Sequence, residues 1–297
     1  MKKDVAIFSL NLSRNIFDLH SNLLNKTYQH GGYIAFAIND PKPRSIHKAS
    51  VRDRLFHHAV YRVLYPYFDK KFIFDSYSCR NFKGTHRPLE RFCYFARKVS
   101  RSNKRTCWVL KCDIRKFFAS IDQSILMDIL KRHNLDSDTL SLLGNIITSF
   151  ETSRGKGMPL GNLTSQLLVN VYMNEFDQFV KHKLKVIYYI RYADDFVILH
   201  HNKDFLTHMR HGSNIFLEEK LKLKFHPDKV FIKTLSSGVD FLGWVHFPHH
   251  RILRTVTKRR MMKKLSENYS KESKASYLGL IKHGNTYKLK KSHSALV

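Results

Sequence analysis

An α+β fold is what this sequence predicts, on three observations. Short β-prone runs, such as Thr106–Ile114 and Phe196–Leu199, alternate with longer segments of helical periodicity, with no internal repeat or low-complexity linker. Hydrophobic content of 43% with 13% aromatic residues is enough to build a core in 297 residues, which excludes wholesale disorder. Finally, 52 Lys+Arg against 24 Asp+Glu leave a formal charge of +28, which in a foldable chain points to a polyanionic partner. Nucleic acid is the first candidate and an anionic membrane surface the second. The longest apolar runs are far too short to span a bilayer.

The elements follow in order. Residues 1–40 are mixed, and the N-terminal apolar stretch is brief, interrupted by Asp4 and Ser9, and lacks the cleavage site of a signal peptide. Asp40-Pro-Lys-Pro-Arg44 is a basic turn. Residues 51–68 place Leu55, Val60, Val63 and Leu64 at near-helical spacing, in a helix expected to end near Pro66. Ser76–His86 reads as a loop and Pro88–Val99 as a helix, followed by a basic stretch at 97–105. Thr106–Ile114 is a strand with Asp113 near its end. Helical pattern returns at 123–132 and 137–149. A glycine-rich loop, Gly155–Gly161, then opens into a long helix over 162–183, with Leu163, Leu167, Val171 and Met173 as its apolar face. Val186–Ile190 and Phe196–Leu199 form a β-hairpin with two aspartates at its tip. A helix at 204–221, an extended stretch near 229–234 and a strand pair over Val239–Val245 complete the pattern. Residues 248–297 hold 13 Lys+Arg and 2 Asp+Glu, and Met261, Met262, Leu265 and Tyr269 give that tail the spacing of a packed helical appendage.

Cys79, Cys93, Cys107 and Cys112 form no CxxC pair, so a zinc ribbon or redox motif has little support, and an intracellular location is expected. The 18 histidines lack the spacing of a helical metal site, and most are expected at the surface or facing nucleic acid.

Chemistry concentrates at Tyr192-Ala-Asp-Asp-Phe196. Adjacent carboxylates in a strand point to opposite faces, but at a hairpin tip both can approach one cation, which would relieve their repulsion. Those five residues alone are equally compatible with an ordinary acidic turn. Asp113, on a separate strand, adds a third carboxylate. Three on neighbouring strand ends can hold two Mg²⁺ ions about 3.5–4 Å apart, as in-line phosphoryl transfer requires.

These residues resemble the reverse transcriptases. Asp113-Ile-Arg-Lys-Phe-Phe118, Gly157-Met-Pro-Leu-Gly-Asn-Leu-Thr-Ser-Gln166 and Arg191-Tyr-Ala-Asp-Asp-Phe196 look like the family's motifs A, B and C, in that order. Ser76–His86 looks like its fingers motif, and Lys229 and Phe241-Leu-Gly-Trp244 resemble motifs D and E. The likeness runs from about 40 to about 260. It implies a right-hand polymerase with an antiparallel-sheet palm, fingers and a short helical basic thumb. The expected divisions are fingers at 1–105, palm at 106–122, a helical insertion at 123–155, palm again at 156–245 and thumb at 246–297.

The resemblance also assigns roles. Asp113, Asp194 and Asp195, with the backbone of Ile114, match the ligands of two Mg²⁺ ions, for which Mn²⁺ can substitute. Phe118 matches the steric gate that rejects a 2′-hydroxyl and favours dNTPs, or else is plain core. Leu160, Gly161 and Gln166 match the nucleotide and template contacts of motif B, although Leu160-Gly161 is also an ordinary helix start capped by Asn162. Arg80 and Lys83 lie in a loop able to swing onto triphosphate, and Arg44 and Arg54 match other fingers positions; each is equally readable as a solvated charge or a phosphate contact. Lys229 matches the lysine thought to protonate leaving pyrophosphate, or is a strand-edge lysine.

Leu160 and Ser165-Gln166 look like the diversity-generating retroelement branch, which implies errors opposite template adenine. Arg191–Phe196 is as similar to group II intron-type enzymes. The partners implied are an RNA template, an RNA or DNA primer, dNTPs and a small accessory protein, in the cytoplasm and without a membrane. The stretch after motif E is too short for an added nuclease domain of ordinary size. Two alternatives remain: a maturase-like protein that helps RNA fold, and an RNA-dependent RNA polymerase with the same palm.

Overall fold

The computed structural model describes residues 2–39, 43–267 and 270–286. Asp40, Pro41 and Lys42 of the expected turn, and Tyr269 of the tail, lie outside the described residues, as does the stretch from 287. The N-terminal region holds helices α1 (Lys3–Leu10) and α2 (Leu12–Leu24), then a hairpin of β1 (Tyr33–Ile38) and β2 (Arg44–Ala49). Helix α3 (Val51–Asp69) starts at Ser50, whose side chain accepts the Asp53 N–H. It runs past Pro66 instead of ending there. Proline in the last turn forfeits one backbone hydrogen bond, while Phe68 and Phe72 beyond it are buried, and that packing prolongs the helix. A loop leads to α4 (His86–Val99), whose Leu89, Phe92, Phe95, Ala96 and Val99 recur at helical spacing and are buried.

Next come β3 (Trp108–Asp113), a single turn α5 (Phe117–Ser120), α6 (Gln123–Lys131), α7 (Ser137–Thr148) and α8 (Leu163–Gln178), which passes into a π-helical turn over Phe179–Lys183. The predicted hairpin is β4 (Tyr189–Tyr192) and β5 (Asp195–His200). Its first strand lies three residues later than expected, because pairing with β5 begins at Tyr189 while Ile187 is exposed. Helix α9 (Lys203–Lys220) and β6 (Phe231–Thr234) follow, then β7 (Val239–Phe241), β8 (Trp244–His246), an unexpected β9 (Arg251–Leu253), α10 (Thr255–Glu267) and α11 (Lys271–Ile281).

The central sheet has the antiparallel order β4-β5-β3-β6. Strands β4, β5 and β3 are buried on both faces, so each divides its side chains between two cores, while β6 is a half-buried edge. Leu110, Cys112, Phe196 and Ile198 face a core shared with α6, α7, α8 and α9. Val109, Ile190, Val197 and Leu199 face a second core with α4 and the three-stranded sheet β7-β8-β9. Met261 and Ile281 enter that second core, so α10 and α11 are packed and not a loose tail. Two histidines are buried: His57 and His246 are each 1% exposed. Among the described residues no helix is long and apolar enough to cross a membrane.

Candidate active site

Register brings the acidic residues together. In the β3–β5 ladder Asp113 stands opposite Asp195, and in the β4–β5 ladder Tyr192 stands opposite Asp195, leaving Ala193-Asp194 as a two-residue turn. Ala193 has φ of 55°, a left-handed value that strains a residue carrying a Cβ. Two neighbours pin the turn in this state. The Ile114 N–H donates to the Asp194 carbonyl at 3.2 Å, and Arg191 Nη1 donates to the Ala193 carbonyl at 3.1 Å.

Arg191 is itself fully buried. Its guanidinium meets Asp177 of α8 through Nε at 2.8 Å and Nη2 at 2.6 Å, and also reaches Asn170 and Ser76. Its backbone bonds Asp75 and Tyr77. One side chain thus ties helix, hairpin and the 70–85 loop, with its charge paired and its donors used, as burial of a cation demands. Sequence reading singled out neither this support nor Asp177, because the partners lie far apart in the chain.

Two ammonium groups lie among the carboxylates. Lys229 Nζ is 3.1 Å from Asp113 Oδ1, and Lys111 Nζ is 3.3 Å from Asp195 Oδ2. Lys111 escaped the sequence reading, yet its signal was present: two residues before Asp113 on one strand, it must share that face. Burial pushes the Asp195 carboxyl up to about 7, opposed by Lys111 and reinforced by the charges of Asp194 and Asp113. Burial, then the Asp113 charge, also raises Asp194, while Lys229 and Arg44 pull it down. Asp195 Oδ1 is buried without a hydrogen-bond partner among the described residues.

The donors therefore suit a hard divalent cation: oxygen ligands, mutual repulsion and one orphaned oxygen. Even so, among the described residues no three His, Cys, Asp or Glu side chains converge as a ready-made metal cage. Asp113 and Asp195 are each turned to a lysine instead.

The other expected residues are distributed unevenly. Phe118 is half-buried in α5, edge-on to Phe117, and its carbonyl accepts the Met158 N–H at 2.8 Å, joining motif A to the glycine-rich loop. The Leu160 carbonyl accepts the His47 N–H of β2 at 2.9 Å. Gly161 has φ of 112°, and a Cβ there would meet Ile46 Cγ2 at 2.6 Å. Asn162 stands at the N-cap but makes no capping bond; its amide instead donates to the His47 carbonyl at 2.8 Å. Gln166 is half-buried in the first turn of α8.

Arg44 starts β2, exposed and near enough to influence Asp194. Arg54 is paired with Asp4 of α1 at 2.6 Å. Arg80 is not the free loop cation expected. Only 5% of its side chain is exposed, and it is committed to Asp69 and to the carbonyls of Ile73 and Ser76. Lys83 donates to the Phe74 carbonyl and lies over the Phe74 ring. Arg80 and Lys83 hold the loop's shape here and stay out of the carboxylate cluster.

Residues 38–247 match the family model described as reverse transcriptase (RNA-dependent DNA polymerase). The chain is 25% identical over 263 residues to protein YkfC of Escherichia coli, covering 76% of this chain and 67% of that protein. It is 22% identical over 274 residues to the group II intron-encoded protein LtrA of Lactococcus lactis, covering 69% of this chain and 45% of LtrA. Among solved structures, telomerase from Candida tropicalis with a TWJ fragment of telomeric RNA superposes with a TM-score of 0.56 at 13% identity, over 94% of this chain and 57% of that one. Telomerase from Candida albicans gives 0.54 at 14%, over 77% and 46%. The likeness to the telomerases is one of fold. This chain spans about half the length of LtrA and of the telomerases.

Proposed function

The chain belongs to the reverse transcriptase (RNA-dependent DNA polymerase) family, and we propose that it copies an RNA template into DNA at Asp113, Asp194 and Asp195. The observation that carries this reading is the strand register, which sets three carboxylates at one end of one sheet. We read residues 1–105 as fingers, 106–122 and 156–245 as palm, the 123–155 insertion as helices between fingers and palm, and 246–297 as a short basic thumb. The template is RNA, the primer RNA or DNA, the substrates dNTPs, and a small accessory protein is a further partner, in the cytoplasm.

Two divalent ions, Mg²⁺ with Mn²⁺ as substitute, suit Asp113, Asp194, Asp195 and the Ile114 carbonyl; when bound they would activate the primer hydroxyl and offset charge on the leaving pyrophosphate. Lys111 and Lys229 supply countercharge to Asp195 and Asp113 until the ions arrive, and Lys229 then holds a proton at Nζ for the leaving group. Phe118 closes the space under the incoming sugar against a 2′-hydroxyl. Arg44, exposed at the start of β2, is a triphosphate contact, and Leu160, Gly161 and Gln166 line the template side.

Primer extension on an RNA template with Mg²⁺ or Mn²⁺ tests the reading. Asp194→Asn should keep the fold and lose activity by roughly a hundredfold or more; extension unchanged in that variant would overturn it. Ribonucleotide preference would point instead to an RNA polymerase. RNA folding assistance without extension would favour the maturase-like role, for which the similarity to LtrA is the supporting observation. Counting errors by template base tests the diversity-generating branch, and an even spectrum would remove it.

A further inference from the structure

Next to the end of β3, α9 and the loop after it border an open groove of about 380 Å³, within the size range of small-ligand sites. Thr207, Arg210, His211 and Asn214 line one wall. They fall at i, i+3, i+4 and i+7, so they form one polar stripe beside the buried face of Leu206, Ser213 and Leu217. Phe225 and His226 line the other wall. Phe225 is anchored by a bridge to Ile114 and by contact with the Phe196 ring.

The chemistry of this lining is one-sided. No carboxylate is among the groove's lining residues; the exposed Asp228 carboxylate stands 4.0 Å from His226 Nδ1, next to it. His226 Nδ1 accepts the Asp228 N–H at 3.2 Å, so in the neutral ring the proton sits on Nε2 and is available to donate. Arg210 lines the groove and has no carboxylate partner among the described residues. Guanidinium, imidazole, amide and hydroxyl donors around a groove of this size match a phosphoanhydride anion.

We propose that this groove is a binding site for the phosphoanhydride group shared by pyrophosphate and nucleoside triphosphates, distinct from the carboxylate cluster. Its link to that cluster is a single turn. The His226 N–H donates to the Asp113 carbonyl at 2.8 Å, and the Lys229 N–H donates to the His226 carbonyl at 3.3 Å. From that turn Lys229 reaches the Asp113 carboxylate while the His226 ring lines the groove. An anion bound to His226 therefore braces the turn that presents Lys229. That pyrophosphate and dNTPs are the anions at hand rests on the polymerase reading; the binding does not.

The test is titration of the full chain with sodium pyrophosphate, and separately with dATP, without divalent cations, read by histidine ring NMR and calorimetry. Saturable binding that moves the His211 and His226 resonances is expected. Arg210→Glu should weaken it about tenfold or more, with Arg210→Gln and Asn214→Asp weakening it in the same direction. Lys203→Glu, one turn outside the groove with the same charge change, should leave it unchanged. Binding of both ligands assigns the shared group, and binding of one alone assigns its source. Equal weakening by Lys203→Glu, or no saturable shift of the two rings, would overturn the site. A chain inactive in primer extension would still give this titration, so the two failures are distinguishable.

Discussion

Phe118 is where a single side chain would decide which nucleotide is used. Half-buried and held through its carbonyl to Met158, it presents a ring whose removal leaves space without unravelling α5. Phe118→Ala should narrow discrimination against ribonucleotides by roughly 10–200-fold, the range set by one steric contact, in competition assays with dNTPs and NTPs. Unchanged selectivity would return Phe118 to the core. Residues of this kind were legible because their chemistry is local: three aspartates, a bulky residue five positions on, a glycine before a helix. His246 was not. Nothing in its neighbourhood in the chain announces that its ring packs against Phe92 and Phe241, with Cys93 and Arg251 beside it. Burial, aided by the Arg251 charge, lowers its pKa from 6.5 to about 3, and burial lowers His57 to about 4. Since the unfolded chain takes up these protons first, stability is full above about pH 6.5 and falls as the pH drops toward 3. His246→Phe keeps the aromatic packing and removes one titration. Denaturant unfolding across that window should show an acid-side loss smaller by about 4 kcal/mol in the variant. Parallel curves for the two proteins would exclude His246 as a contributor.

Elements are fixed by contacts that the local pattern does not contain. The glycine-rich loop was visible, but its attachment to β2 through His47 was not, since 113 residues separate His47 from Leu160. The pattern gives helix α8 one apolar face, yet Asn170 and Asp177 are buried as well, because its polar side serves Arg191 and the 70–85 loop. The same limit explains Pro66, where long-range packing overrides a local stop signal, and β9, which is three residues long and exists by pairing with β8. Gly161→Ala tests the attachment. It combines a disallowed φ with a Cβ 2.6 Å from Ile46, so it should destabilise the protein by about 1–3 kcal/mol and loosen the loop against β2. Ile46→Ala in the same chain relieves the clash but not the backbone strain, so thermal unfolding should recover only part of the loss. Full recovery would mean the strain at Gly161 is negligible, and none would mean the contact with β2 does not matter.

On the scale of the whole molecule, the charge of +28 is a surface property that structure distributes without erasing. The buried cations, Arg191 and Lys111, are spent on Asp177 and Asp195, and Arg80 on Asp69. The remainder must be screened by ions or matched by a polyanion. Exposed Lys258 and Arg259 project from α10, which packs against the second core through Met261 and so holds its charges on a rigid element. A cation that contacts a duplex phosphate releases a condensed counterion, and each such contact adds about 0.9 to the salt slope of binding to a B-form duplex. Measuring primer–template affinity from low to physiological salt should therefore give a steep linear dependence. Replacing Lys258 and Arg259 by Gln should weaken binding at every sequence alike and flatten the slope by about two. Extension by the variant at saturating primer–template should stay near that of the unmodified chain, because neither residue reaches Asp113, Asp194 or Asp195. A slope left intact would place the nucleic acid away from α10, and a fall in the extension rate at saturation would show that this helix acts on the carboxylate cluster as well as on the duplex.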